Sequence, residues 1–137
     1  MPESTSLELE PFRLRMRGLL PDHLGIRLIH ASPELMVGEI DVTRDLCTAP
    51  GLMHGGAIMA FADTLGALGT MANLDDQSGT TTIESKTNFF RGGVEGTTLR
   101  GECRPMHRGR RTQVWQTTIL NPEGKLVAQV TQTQMVL

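Results

Sequence analysis

Polar and apolar positions change rhythm several times along the chain. Leu7 to Leu20 carries Leu9, Phe12, Met16 and Leu19-Leu20 at helical spacing, with Leu14 off that face, and predicts an amphipathic N-terminal helix over 7–20 that Pro21-Asp22 stops. Gly25–Ala31 and Leu35–Val42 read as strands about a Ser32-Pro33-Glu34 turn, with Gly38 marking a bulge or a close approach. Gly55 to Leu74 then loses all alternation. It is almost wholly apolar or small, Asp63 is its only ionisable residue, and it predicts a helix over 54–73 with no polar face, hence one enclosed by protein. Four strand patterns follow, Gly79–Phe90, Thr97–Met106, Arg111–Leu120 and Lys125–Val136, with Asn121-Pro122-Glu123-Gly124 as a turn. Helix, two strands, a buried helix and four more strands favour an antiparallel α+β fold in which the sheet curls around the apolar helix.

The chain has 137 residues, enough for one domain spanning 1–137 with its own core. A formal net charge of −2 argues against a general nucleic-acid binder. The Gly/Ala-rich composition of the apolar stretch and its central carboxylate argue against a membrane span. No charged-then-apolar leader opens the sequence, and two cysteines, Cys47 and Cys103, show no metal-ligand spacing. The expectation is a cytoplasmic protein without a metal or separate cofactor, and without a nucleic-acid or membrane partner.

The chemistry concentrates in His54-Gly55-Gly56 and Asp63. Glycines at the mouth of a helix let a ligand approach N–H groups that have no helical partner, and that end of the helix dipole suits developing negative charge. A lone carboxylate in an apolar stretch needs a partner or a use. Along a continuous helix, nine residues advance roughly 13–14 Å and turn about 900°, which leaves His54 and Asp63 on opposite faces. If both serve one small substrate, a second copy of the chain must supply one of them, and a two-fold axis does so twice over.

Gly51-Leu52-Met53-His54-Gly55-Gly56 followed by Ala62-Asp63 resembles the signature of hotdog-fold acyl-CoA thioesterases of the PaaI-like (phenylacetate-degradation) type; Asn88-Phe89-Phe90-Arg91 and Gly124-Lys125-Leu126-Val127-Ala128 are similar to that family's pattern too. The resemblance implies that the Gly55 amide hydrogen-bonds the thioester carbonyl oxygen, that Asp63 is nucleophile or general base, and that His54 helps hold the thioester. It implies an acyl-CoA substrate, of which coenzyme A is a part, and a homodimer with shared sites, often a dimer of dimers. The family's usual Asn or Gln six residues before the histidine is Thr48 here. The family's Ser or Thr that holds the attacking water matches Thr82, or Thr81 if the alignment slips by one.

Arg104, His107, Arg108, Arg110 and Arg111 cluster about Gly109, with Arg91 a further candidate across the sheet edge. Guanidinium groups suit the phosphates of coenzyme A. Each feature also has a plainer reading. Gly55 and Gly56 suit close packing, His54 and Asp63 suit structural hydrogen bonds, the arginines suit a solvated hairpin, and Thr80-Thr81-Thr82 suits ordinary strand preference. Two other functions share the expected fold: hydration or dehydration of an enoyl-CoA, and acyl-CoA binding without turnover.

Overall fold

A computed structural model describes residues 5–137. Its frame is a six-stranded antiparallel sheet in the order β1-β2-β6-β7-β8-β5, wrapped on one long helix. The strands are β1 (Arg27–Ser32), β2 (Leu35–Asp41), β5 (Thr80–Phe89), β6 (Thr98–Arg108), β7 (Thr112–Leu120) and β8 (Leu126–Val136). Cys47–Thr48 (β3) and Leu52–Met53 (β4) form a small hairpin inside what the sequence presents as a loop.

The N-terminal segment departs from one helix over 7–20. It forms α1 (Glu10–Met16) and the single-turn α2 (Leu20–His23), while the Leu7 N–H bonds the Ala31 carbonyl at 2.8 Å. Gly18 makes the break by taking φ +76°, a left-handed conformation cheap only for glycine, and its N–H bonds Asp22 Oδ2 at 2.9 Å. Pro21 falls in the first turn of α2, where a missing N–H costs nothing. Phe12 and Met16 are buried as the periodicity predicts, but the break turns Leu19 and Leu20 outward, each 60% exposed.

The central helix α3 spans Gly55–Met71. Phe61, Ala62, Leu65 and Leu68 are buried on it against Leu99, Cys103, Trp115 and Ile119 of the sheet. Its seat is built from glycines on both partners. Gly38 and Gly101 sit opposite each other on β2 and β6, and a Cβ there would stand 2.9 Å and 2.7 Å from the Leu65 side chain. Gly38 is thus a close approach, and it also lies opposite the β-bulge that shifts the β1 register between Leu28 and His30. Gly69 on the helix gives way in the same manner to Trp115, at 2.8 Å.

Both cysteines are free, and burial pushes the Cys103 thiol up to about 12. No helix among the described residues is long and apolar enough to cross a membrane.

Candidate active site

His54 is the N-cap of α3, with φ −58° and ψ 135°. Its own N–H is anchored on the Leu46 carbonyl at 2.8 Å, and its Nδ1 accepts the Gly56 N–H at 2.8 Å. A neutral imidazole that accepts at Nδ1 carries its proton on Nε2, so the exposed ring offers a donor outward. His54 also takes up the Gly56 amide and leaves the Gly55 N–H as the open donor: among the described residues no acceptor meets it. Gly55 opens onto a cleft of about 400 Å³ shared with Thr48, Phe89 and Arg91. A Cβ on Gly55 would stand 3.2 Å from the Phe89 ring. On the other side of the helix start, His54 and Gly56 border an apolar groove of about 320 Å³ formed with Leu20, Leu24, Leu46, Ala57 and Ala60.

Asp63 lies half-buried two turns further along α3, and its setting is polar, not the apolar one its neighbours in sequence predict. Thr82 Oγ1 is 2.5 Å from Asp63 Oδ1, and Gln132 Nε2 approaches the same oxygen at 3.3 Å. Thr82 points at the helix because it pairs with Gln134 on the inner face of the sheet; Thr81 pairs with Met135, is exposed, and is not brought to Asp63.

Gln132 and Gln134 are the residues that sequence reasoning missed. Both are fully buried. A signal was present: they continue, on the inner face of β8, the alternation that begins with Ala128 and Val130. Gln132 lies flat on the helix backbone at Gly66, where a Cβ would fall 2.2 Å from its Cδ. Gly66→Ala must therefore drive the amide away from Asp63. The expected cost is about 1–3 kcal/mol, read as a lower denaturant midpoint with turnover lost alongside it.

The basic residues do not form one group within a chain. Arg91 donates to the Leu126 carbonyl at 3.0 Å at the start of β8, whereas the Arg111 carbonyl accepts from Val136 at its end. Ten strand residues separate those points by roughly 33 Å. Arg108 packs on the far end of α3, donating to Asn73 Oδ1 at 3.2 Å and to the Pro33 carbonyl at 3.4 Å. Arg110 and Arg111 are exposed on the hairpin. Among the described residues no cluster of three or more His, Cys, Asp or Glu side chains is arranged to hold a metal ion.

An apolar helix clasped by an antiparallel sheet is the hotdog arrangement. Residues 50–128, more than half of the chain, match the model of the thioesterase superfamily, and the chain belongs to that family. It is 30% identical over 119 residues to the proofreading thioesterase EntH of Cronobacter turicensis, covering 87% of this chain and 86% of that one. It is 29% identical over 120 residues to the 1,4-dihydroxy-2-naphthoyl-CoA hydrolase of Escherichia coli, covering 88% of each. Among solved structures, the thioesterase HI1161 of Haemophilus influenzae superposes with a TM-score of 0.89 at 25% identity, over 100% of this chain and 95% of that one. The E. coli PaaI protein shares the fold with a TM-score of 0.83 at 24% identity, over 93% and 90%.

Proposed function

We propose that the protein hydrolyses an acyl-CoA thioester to the free acid and coenzyme A, with coenzyme A entering as part of the substrate and no separate cofactor. The observation that carries this reading is the pairing of an unsatisfied Gly55 N–H at the start of α3 with an Asp63 carboxylate held by Thr82 and Gln132. The amide stabilises the oxyanion that forms on the thioester carbonyl, reinforced by the helix dipole. His54, which takes up the Gly56 amide and borders the groove on the other side of the helix start, helps hold the loop that presents the Gly55 amide. Asp63 drives the attack, as nucleophile or as general base on water.

Gly55 and Asp63 are eight residues apart on one helix, about 12 Å, so the reading requires two copies. Strand β5 supplies the means. Among the described residues it pairs only with β8, which leaves a ten-residue edge of open backbone groups with Ile83 and Phe89 about half exposed. Pairing two β5 edges antiparallel about their midpoint sets the Phe89 end of one copy, which carries Gly55, against the Thr82 end of the other, which carries Asp63. The same operation brings Arg91 of one copy toward Arg110 and Arg111 of the other, an approach one chain cannot make. A dimer with two shared sites follows, and two such dimers can associate further.

A panel of aryl and medium-chain acyl-CoA substrates, with free thiol followed by a thiol-reactive dye, tests the activity. Thiol release on at least one substrate is expected. Hydration of an enoyl-CoA without thiol release, or tight acyl-CoA binding without turnover, would replace the reading. Paired charge reversal, Arg110→Glu with Arg111→Glu, is expected to raise KM for acyl-CoA roughly threefold to tenfold at low salt, to leave kcat unchanged, and to lose most of its effect as salt screens the phosphates. An unchanged KM at low salt contradicts that placement. Arg108→Glu is a poorer probe because Arg108 also ties the hairpin to Asn73.

A further inference from the structure

The hydrogen bonds around Asp63 contain more acceptors than protons. Thr80 Oγ1 spends its one proton on the Met135 carbonyl at 2.9 Å, so it can only accept from Gln134 Nε2, at 3.0 Å. Gln132 Nε2 donates to Gln134 Oε1 at 3.0 Å. These two contacts fix the Gln134 amide in one sense: a flip would set its nitrogen against the Gln132 nitrogen and its oxygen against the lone pairs of Thr80. Gln134 Oε1 is therefore held toward Thr82, 2.5 Å from Thr82 Oγ1. Asp63 Oδ1 stands at the same distance from that hydroxyl. One proton thus faces two oxygens, one on a side chain that changes protonation and one on a side chain that does not. Among the described residues no charged group besides Asp63 shares the arrangement; the contacts on Asp63 from β5 and β8 are all neutral.

We propose that Gln134 is a positioning residue for the reaction, acting through Thr82: its Oε1 is the alternative acceptor that lets the Thr82 hydroxyl turn away from Asp63 when Asp63 takes up a proton. The proposal rests on the acyl-CoA hydrolase reading above and gives Asp63 the role of general base. As the carboxylate, Asp63 accepts a hydrogen bond from the Thr82 hydroxyl, which keeps its proton. Water then forms a bond from its oxygen to the thioester carbonyl carbon, and its proton passes to Asp63. Thr82 now donates to Gln134 Oε1 and accepts from the protonated Asp63. When the tetrahedral intermediate collapses, the C–S bond breaks, the proton goes from Asp63 to the thiolate, and Thr82 swings back. One water is consumed, and one acid and one thiol are released. Without the Gln134 oxygen, Thr82 has no second acceptor to turn to, and a proton arriving on Asp63 Oδ1 meets its hydroxyl hydrogen in place of a lone pair.

A double-mutant cycle tests this. Thr82→Val and Gln134→Met are each expected to lower kcat by about tenfold with KM within twofold, Thr82→Ser to restore most of the loss, and the double variant to be no slower than Thr82→Val alone. Independent losses, multiplying to about a hundredfold in the double variant, overturn the proposal. If Gln134→Met fails to fold, Thr80→Val decides. It removes the hydroxyl that orients the Gln134 amide, and kcat should fall while Thr80→Ser stays at the wild-type rate; an unchanged kcat in Thr80→Val overturns the proposal. Asp63→Asn separates the two levels. A dead Asp63→Asn with an additive cycle removes the Thr82–Gln134 device and leaves Asp63 as base, whereas an active Asp63→Asn removes both.

Discussion

Asp63→Asn will stop thioester hydrolysis, lowering kcat by about 10²–10⁴, while the folded protein still binds acyl-CoA. The substitution is nearly isosteric and keeps Oδ1 as an acceptor for Thr82 and Gln132, the two contacts that hold the side chain in place. It removes the negative charge and the ability to take a proton or attack a carbonyl. Helix α3 keeps its buried face of Phe61, Leu65 and Leu68. Coenzyme A release should vanish, with KM or analogue affinity moved by less than about threefold and the thermal midpoint by no more than a few degrees. A purely structural Asp63 predicts the opposite pattern: lost stability in Asp63→Asn with turnover retained by the folded fraction.

Gly55→Pro removes a single hydrogen atom from the proposed chemistry. Proline has no N–H, and the first helical position is where helices accept it best. The residue before a proline must avoid the helical region, and His54 already lies at φ −58° and ψ 135°. The ring will press on Phe89, whose side chain is half exposed and able to move. The helix should therefore persist, and kcat should drop by about 10²–10³, the usual cost of one oxyanion donor. Gly55→Ala is the control. It keeps the N–H, adds only a contact with Phe89, and should retain most of the rate. Equal rates for the proline and alanine variants would remove Gly55 from the mechanism.

The main architecture was legible because its signals are local. An apolar run without a polar face announced α3, and period-two alternation announced β6 through β8. The break at Gly18 was not legible, because one glycine inside a helical pattern reads as a weak point and not as a corner; the exposed Leu19 and Leu20 follow from it. The opposition of Gly38 and Gly101 depends on register between strands far apart in sequence. At the site, the spacing from His54 to Asp63 exposed the geometric problem that a second copy solves. Thr82 could not be separated from Thr81 by preference alone, since both suit a strand; the pairing with β8 separates them. Gln132 and Gln134 escaped notice because polar residues at the end of a strand read as solvent-facing, yet the sheet carries its inner face under the helix to that end. Arg91 seemed near the other arginines only because the chain folds back between them.

Mixing Gly55→Pro with Asp63→Asn tests most directly whether each site is built from two chains. Both variants are expected to be inactive alone. Co-expression with two tags, or joint refolding, assembles mixed dimers in which one site carries both lesions and the other carries neither. Random pairing makes half of the dimers mixed, so the mixture should recover about a quarter of the wild-type rate. A mixture containing verified mixed dimers that stays as inactive as its parents would contradict a site shared between the Gly55 amide of one chain and the Asp63 carboxylate of the other.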